Sequence, residues 1–331
     1  MATTIKDIAR AANVSINTVS RALNNKGDVK KETRERILAV ARELDYVPNL
    51  LARSLLHRRT RTIGVVVTDS ANPFYAQLLR GVEDCTASGG YNIILCNSDE
   101  KPEREAAALA ILKEKRVDGL LITPASTSGS FLASLERYDL PLVLVNRSTD
   151  DAEVDYVKTD NVHGARLAIG RLLSRGRRRL CYLGGPPRIS SAVERLQGCQ
   201  DAVREARLPE ESLRVVETAL HMEDGYLRMK GILEQQERPD GVFAYSDIIA
   251  IGAMKAIREA GLRVPADIAV VGYDDIEIAS YLEISLTTIR QKRYELGWKS
   301  AELLISRLTE GEKHRPQHVV FAPELVVRDS A

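Results

Sequence analysis

Thr4-Ile-Lys-Asp-Ile-Ala-Arg-Ala-Ala-Asn-Val-Ser-Ile-Asn-Thr-Val-Ser-Arg-Ala-Leu23 reads as two short helices joined by a corner. Thr4 followed three residues later by Asp7 is a capping-box start, in which the carboxylate satisfies an N–H left open at a helix N-terminus. Ile5, Ile8, Ala9 and Ala12 recur at i, i+3, i+4 and i+7 and so share one apolar face. Asn13 breaks the run. Asparagine tolerates a left-handed backbone better than most residues, so a sharp turn there is cheap. Val14 can plug the elbow, and Ser15 can cap a second helix. The inward residues of that helix are Val19, Ala22 and Leu23, which leaves Ile16, Asn17, Ser20 and Arg21 facing out. Two helices joined by a turn of three or four residues form the DNA-reading helix-turn-helix, although ordinary helical hairpins share this pattern.

The outward residue types suit a duplex. Asn17 can offer a paired donor and acceptor to an adenine edge, and Ile16 can touch a thymine methyl. Thr4, Ser15, Thr18 and Ser20 are short hydroxyl donors suited to phosphate oxygens. Arg21 can read a guanine or grip a phosphate, and the sequence does not choose between them.

Charge supports the same reading. The 331 residues carry a net +1. Residues 1–61 hold 13 Lys/Arg against 6 Asp/Glu, a local balance of +7. A basic head on a mildly acidic body points to a polyanionic partner for the head alone. The N-terminus is polar and turns helical at once, unlike a secretory signal, and no apolar run approaches 18 residues. These features predict a cytoplasmic, nucleoid-associated protein with no membrane partner. Cys85, Cys96, Cys181 and Cys199 lie far apart and read as small core side chains in a reducing compartment. His314 and His318 flank Pro316, so no helix presents both to a metal, and neither metal nor cofactor is expected.

Beyond the corner, a helix over 31–44 offers Ile37, Leu38, Ala41 and Leu44 to close a three-helix core, predicting an all-α headpiece over 1–47. Tyr46-Val-Pro-Asn-Leu-Leu-Ala-Arg-Ser-Leu-Leu56 contains a nine-residue helix too short to hold alone in water. With the basic run His57-Arg-Arg-Thr-Arg61 it makes a hinge and linker over 48–61. Leu55 there is either packed on the body or a wedge for the minor groove. From Ile63 onward apolar strands alternate with helices, including one near 131–138, which predicts parallel sheets covered on both faces. A second series opens with a strand near 156–158. Two sheets of about five strands imply two stacked lobes over 62–331. The chain after Thr287, with a helix over 293–308 and a strand over 319–321, returns to finish the first lobe. The lobes then span about 62–160 with 290–321, and about 161–289 with 322–331. The cleft between them, at the strands' carboxyl ends, is the place for a small ligand.

At this point the residues resemble the lactose/galactose repressor family across essentially the whole chain. The motifs are Thr4-Ile-Lys-Asp-Ile-Ala9, Val14-Ser15 with Thr18-Val-Ser-Arg21, Tyr46-Val-Pro-Asn49 with Ala52-Arg-Ser-Leu55, Asn72-Pro-Phe74, Arg116-Val-Asp-Gly119, Gly272-Tyr-Asp-Asp275 and Leu286-Thr-Thr-Ile289. Each is weak alone; seven in order are specific. The resemblance implies a homodimer that reads a pseudo-palindromic operator and is controlled by a small effector. It places Ile16, Asn17 and Arg21 in the major groove, and Leu55 with Asn49 and Ala52 at the hinge contact with DNA. It implies a body like a periplasmic sugar-binding protein. Two departures stand out: Asn13 where the family has glycine, and Lys30 where it has a serine cap. The family's tetramer-forming leucine tail is missing, which favours a dimer.

Phe74, Tyr75, Asn146, Arg147, Asp160, Arg195, Leu220, Ser246 and Asp274 resemble the family's effector contacts. Carboxylate, amide and guanidinium groups pair with adjacent hydroxyls, and an aromatic covers a sugar ring. A carbohydrate effector fits best. A sugar phosphate, sugar acid or nucleobase is the alternative. Arg147 favours an anion unless it binds a neighbouring Asp, whereas nucleobase-binding relatives tend to carry a large aromatic at 147 and 220. Arg195, beside Glu194, could instead be a surface ion pair. Asp247 reads as a helix cap, one of Asp274 and Asp275 as structural, and Gly184-Gly-Pro-Pro-Arg188 as a rim turn. An enzyme is not expected: no Gly-x-Gly-x-x-Gly follows a strand, and no Ser/His/Asp arrangement is evident. A non-regulatory sugar-binding protein would have no use for the basic head.

Overall fold

The computed structural model describes residues 3–23, 29–46, 59–127, 135, 138–149 and 153–331. The loop 24–28, the hinge positions Asn49, Ala52 and Leu55, and most of the expected helix at 131–138 lie outside them. Residues up to Thr60 and from Arg61 onward form two compact units.

The first unit holds α1 (Ile5–Ala11), α2 (Ile16–Leu23) and α3 (Lys31–Glu43). Asp7 accepts from the Thr4 N–H at 3.0 Å and from its hydroxyl at 2.6 Å. Asn13 turns the corner with φ +49°. Ser15 Oγ accepts from the Thr18 N–H at 3.0 Å and so caps α2. Ile8, Val19, Ala22 and Ile37 are fully or almost fully buried together, with Val14 and Leu23 packed against them. The α3 stripe differs from expectation by one position. Val40 joins Ile37, Ala41 and Leu44 on this core, while Leu38 is only half-buried. The run 37, 40, 41, 44 is the helical i, i+3, i+4, i+7 repeat, so the geometry selects valine over the larger leucine.

Lys30 precedes α3 without a side-chain cap bond. Lys30→Ser supplies the missing acceptor and is expected to stabilise the first unit by about 1 kcal/mol. The readout is the urea midpoint of its unfolding transition, and an unchanged midpoint would show that water already serves those N–H groups.

In the second unit, one six-stranded sheet has the order β11-β5-β4-β3-β1-β2 and the other β12-β10-β9-β8-β6-β7. The first contains β1 (Thr62–Val67), β2 (Asn92–Asn97), β3 (Gly119–Ile122), β4 (Leu142–Val145), β5 (Asp155–Thr159) and β11 (His318–Phe321). The second contains β6 (Leu180–Gly184), β7 (Leu213–Glu217), β8 (Gly241–Ala244), β9 (Ala269–Asp274), β10 (Thr287–Arg290) and β12 (Glu324–Val326). Two expectations are corrected. The strand near Tyr156 does not open the second sheet; β5 pairs with β4 in the first. In addition, β12 returns antiparallel to β10, so the second sheet is not wholly parallel. The chain after Thr287 adds β10 beside β9 in the second sheet and then returns to the first, where β11 pairs with β5 as expected.

The helices that matter for the site are α4 (Pro73–Ser88), α5 (Pro102–Glu114), α6 (Asn161–Ser174), α7 (Ser190–Glu205), α8 (Met222–Leu233), α9 (Asp247–Glu259) and α10 (Arg293–Glu310). Proline at the first turn and Asn72, which accepts from the Phe74 N–H at 3.0 Å, start α4. α10 lies directly on α4: a Cβ at Gly297 would sit 1.9 Å from the Leu78 carbonyl oxygen, and one at Gly81 2.1 Å from that of Tyr294. No helix among the described residues is long and apolar enough to cross a membrane. Cys85, Cys181 and Cys199 are buried free thiols, and Cys96 is half-buried.

Candidate functional site

Two places carry the expected site residues. On α2 the buried face is Val19 and Ala22. Its other side leaves Ile16 47% exposed, with Asn17 and Arg21 exposed beside it. The short hydroxyls are less free than their types suggest. Thr4 donates to Asp7, and the Ser15 and Thr18 hydroxyls are 2.8 Å apart and bonded to each other. Ser20 is half-buried.

The second place is a cavity of about 380 Å³ lined from both sheets of the second unit. Phe74, Tyr75, Asn146, Arg147, Arg195, Leu220, Ser246 and Asp274 all line it. Asp160 does not: its carboxylate accepts from the His163 N–H at 2.9 Å and caps α6. Strand ends and helix starts deliver the lining. Phe74 and Tyr75 come from the first turn of α4, their rings edge-on at 5.0 Å. Asn146 and Arg147 follow β4, Asp274 ends β9, and Ser246 precedes α9. Asn146, Leu220 and Asp274 have φ of +64°, +67° and +120°. Left-handed non-glycine residues cost energy and collect where function holds them. Asn146 Oδ1 and Ser246 Oγ are buried with no hydrogen-bond partner among the described residues.

Arg195 is not a surface ion pair. It is 1% exposed, with Nε donating to Asn161 Oδ1 at 2.9 Å and Nη1 to the Tyr245 carbonyl. Its guanidinium carbon lies 4.3 Å from the Tyr245 ring centre and 3.6 Å from that of Tyr273. Two aromatic faces and the planar fork hold the charge at a fixed angle. Glu194 instead pairs with Lys158 of β5 and accepts from Asn161 Nδ2 at 2.8 Å. Arg147 likewise differs from a free anion receptor. It is 2% exposed and grips Glu100, not an aspartate, through both terminal nitrogens.

The aspartates divide by environment. Asp275 takes Arg290 at 2.7 Å and Arg328 at 2.6 Å, which hold its carboxyl below the usual range despite its burial. Asp247 is not a cap: from the first turn of α9 it accepts the Ile276 N–H at 2.8 Å and the Thr288 hydroxyl at 2.5 Å. Burial, with Asp274 nearby, pushes it well up. Burial also pushes Asp274 up to about 6, against the pull of Arg195 and of Gln291, whose Nε2 donates to Oδ1 at 2.7 Å. Gln291 in turn accepts from the Thr159 hydroxyl at 2.6 Å. Both Thr159 and Gln291 sit where the chain crosses from one sheet to the other, so the cavity carboxylate is tied to the crossing strands.

Thr68, Asp69, Asn72, Asp99, Glu100, Lys101, His221 and Tyr245 complete the lining and were not expected from the sequence. Thr68, Asp99–Lys101 and Tyr245 follow β1, β2 and β8, so the rule that ligands gather at strand carboxyl ends could have found them. No group of three His, Cys, Asp or Glu among the described residues is placed to hold a metal ion.

Known proteins can now be set beside this geometry. The family described as periplasmic binding proteins and sugar binding domain of LacI family matches residues 60–321. The family described as bacterial regulatory proteins, lacI family, matches residues 4–49. The ribose operon repressor of Halalkalibacterium halodurans is 38% identical over 328 residues, 99% of this chain and 97% of that protein. The transcriptional repressor PurR of Histophilus somni is 36% identical over 329 residues, 99% of this chain and 98% of that protein. Among solved structures, the lac repressor dimer bound to operator and an anti-inducer has a TM-score of 0.88 at 28% identity, covering 100% of this chain and 99% of that one. A LacI family regulator from Enterococcus faecium with bound ribose has a TM-score of 0.72 at 32% identity, covering 81% of this chain and 98% of that one. A helical N-terminal reader and a cleft between two α/β sheets, matched from end to end, place this chain in the LacI family of bacterial regulatory proteins.

Proposed function

We propose that this protein is a transcriptional repressor that binds a pseudo-palindromic operator as a homodimer and is controlled by a sugar held in the cleft. It acts in the cytoplasm on nucleoid DNA and catalyses no reaction; its relatives are repressors. One observation carries this reading. The same chain presents Ile16, Asn17 and Arg21 on an exposed helix face and holds eight of nine expected effector contacts around one cavity. Thr4, Ser15, Thr18 and Ser20 position the helix on phosphates, and Leu55, with Asn49 and Ala52, contacts the minor groove. Effector binding closes the lobes and changes whether the hinge segments of the two subunits can pair on DNA. A coupling of a few kcal/mol is enough to switch occupancy.

The sugar class rests on the lining. Phe74 and Tyr75 offer an apolar face, and Asn146, Ser246, Arg195 and Asp274 offer hydrogen bonds at different angles. A nucleobase is the second reading. Arg147 and Leu220 add no second aromatic face opposite Phe74 and Tyr75, which favours the sugar.

The test is selection of duplexes from a random pool by the full-length protein, followed by binding with ribose, other neutral sugars and purines. Enrichment of symmetric half-sites and a shift of that affinity by a sugar are expected. No preference for symmetric over random DNA would sink the regulator reading; a response to purines alone would sink the sugar.

Asp274 adds a pH signature. Sugar hydroxyls donate to its ionised form, so binding competes with protonation. With the free-site value at about 6, affinity is expected to be flat above pH 7. It should fall about tenfold by pH 5, one unit below that value. Asp274→Asn should bind more weakly and lose this slope. The empty protein responds with the opposite sign. Its folded state holds this proton more tightly than the unfolded chain does, so the contribution to stability grows as pH falls through 6 toward the ordinary carboxylate range. A pH-independent effector affinity would exclude Asp274 from contact with the ligand.

A further inference from the structure

We propose that Glu100 sets the charge class of the effector, holding Arg147 so that the cleft takes an uncharged polyol and rejects sugar phosphates and sugar acids. This rests on the sugar reading of the cleft given above.

Arg147 is the side chain that would otherwise welcome an anion, and both its terminal nitrogens are held by protein acceptors, while its Nε is buried with no hydrogen-bond partner among the described residues. Nη1 donates to Glu100 Oε2 at 3.0 Å, Nη2 donates to Oε1 at 2.5 Å, and Nη1 also donates to the Pro124 carbonyl. Two parallel charge-assisted bonds between planar groups form the strongest ordinary way to occupy a guanidinium. Arg147 is 2% exposed and the Glu100 side chain 12%, so water screens the pair little.

The backbone is built to present Glu100. Asp99 and Glu100 are consecutive left-handed residues, φ +50° and +57°, in the turn between β2 and α5. Neither is a glycine, so the turn is held at some cost. Four bonds hold it: Asp99 N–H to the Thr68 carbonyl at 2.7 Å, Lys101 N–H to the Ser98 carbonyl at 2.9 Å, an ion pair from Asp99 to Arg104, and Arg188 Nη2 to the Glu100 carbonyl at 3.4 Å.

The remaining charges do not invite an anion either. With Glu100 and Arg147 cancelling, the lining carries Asp69, Asp99 and Asp274 against Arg195 and Lys101. Asp99 already pairs with Arg104, and Lys101 is exposed and solvated. Arg195 already donates to Asn161 and Tyr245, and its charge also pulls on the Asp274 carboxyl. A phosphate entering here would lose water and meet the carboxylates of Asp69 and Asp274, gaining only the solvent-held Lys101 and an Arg195 already engaged by protein acceptors, which is unfavourable. An uncharged polyol needs only hydrogen bonds, and Asn146 Oδ1 and Ser246 Oγ are unpaired and ready.

The test is thermal denaturation of the full-length wild type and E100Q, against D-ribose and other neutral sugars, D-ribose 5-phosphate and inorganic phosphate at matched ionic strength. The wild type should rise in Tm with a neutral sugar and not with either phosphate. E100Q leaves Arg147 buried without its counter-charge, so it should melt lower and be raised by both phosphates. E100D, whose carboxylate is one methylene shorter, should remain folded and show a smaller gain from phosphate. A wild type stabilised by ribose 5-phosphate, or both variants indifferent to phosphate, would overturn the proposal. A wild type moved by no neutral sugar and no sugar phosphate would instead sink the sugar reading itself.

Discussion

Asn17→Ala is expected to weaken operator binding by about 2–6 kcal/mol, tens-fold to roughly ten-thousand-fold, while leaving the protein folded. The magnitude follows from symmetry. A bidentate amide–adenine contact is worth about 1–3 kcal/mol, and a homodimer on a pseudo-palindrome makes it twice. Stability should hold, because Asn17 is exposed and the α2 core runs through Val19 and Ala22 on the other side. The pattern of loss distinguishes reading from gripping. Loss of a base contact relaxes preference at one position in each half-site and leaves the salt dependence unchanged. Loss of a phosphate contact weakens all sequences alike and, counted once per subunit, makes the salt slope shallower by about two in the dimer. Arg21→Ala, measured alongside, assigns the arginine to one role or the other, which its residue type leaves open. Unchanged affinity and unchanged half-site preference in Asn17→Ala would remove α2 from the groove.

What the sequence made legible depends on how local each cause is. The headpiece is legible because its determinants lie within four residues of one another. Asp7 reaches back to Thr4, Ser15 reaches forward to Thr18, and Asn13 alone sets the corner. Asn72-Pro73 announces α4 for the same reason. The cleft is legible only in part. Phe74 and Asp274 could be matched by motif, but Glu100 could not be paired with Arg147, because 47 residues and two strands separate them. Such a pair exists only once β2 and β4 have taken their places in the sheet. Asp160 shows the converse: its position resembles the family's effector contacts, yet the helix start three residues on takes its carboxylate. The strands β10 and β12 escaped notice because four and three residues are too few to show a period, and both carry charges. Asp247 looked like a cap because it opens a helix. Its side chain points instead at Thr288 and Ile276, partners about 30 to 40 residues away that no local pattern contains.

Arg195→Met should abolish the effector response and lower the Tm by roughly 5–10 °C, the shift expected for a loss of about 3 kcal/mol in a body of this size. Methionine fills much of the volume but gives up two charge-assisted bonds and the contact with two rings. It also leaves Asn161 Oδ1 and the Tyr245 carbonyl buried with weaker partners or none. Each unmade bond of that kind costs about 1–3 kcal/mol, and relief from burying the cation returns part of the loss. The functional consequence runs through Asp274. Arg195 is the strongest influence holding that carboxyl down against its burial. Without it the Asp274 carboxyl is pushed further up, so less of it is ionised and able to accept hydroxyl donors at both oxygens. The repressor should then hold its operator whether or not sugar is present, or release it in both cases, according to which lobe arrangement binds DNA. Arg195→Lys separates the two causes. It restores a positive charge beside Asp274 but not the planar fork or the full ring contact. It should recover part of the normal Asp274 titration while remaining weak in effector binding. If Arg195→Lys instead binds sugar as the wild type does, charge alone is what the cleft requires, and the stacked geometry between Tyr245 and Tyr273 serves only stability.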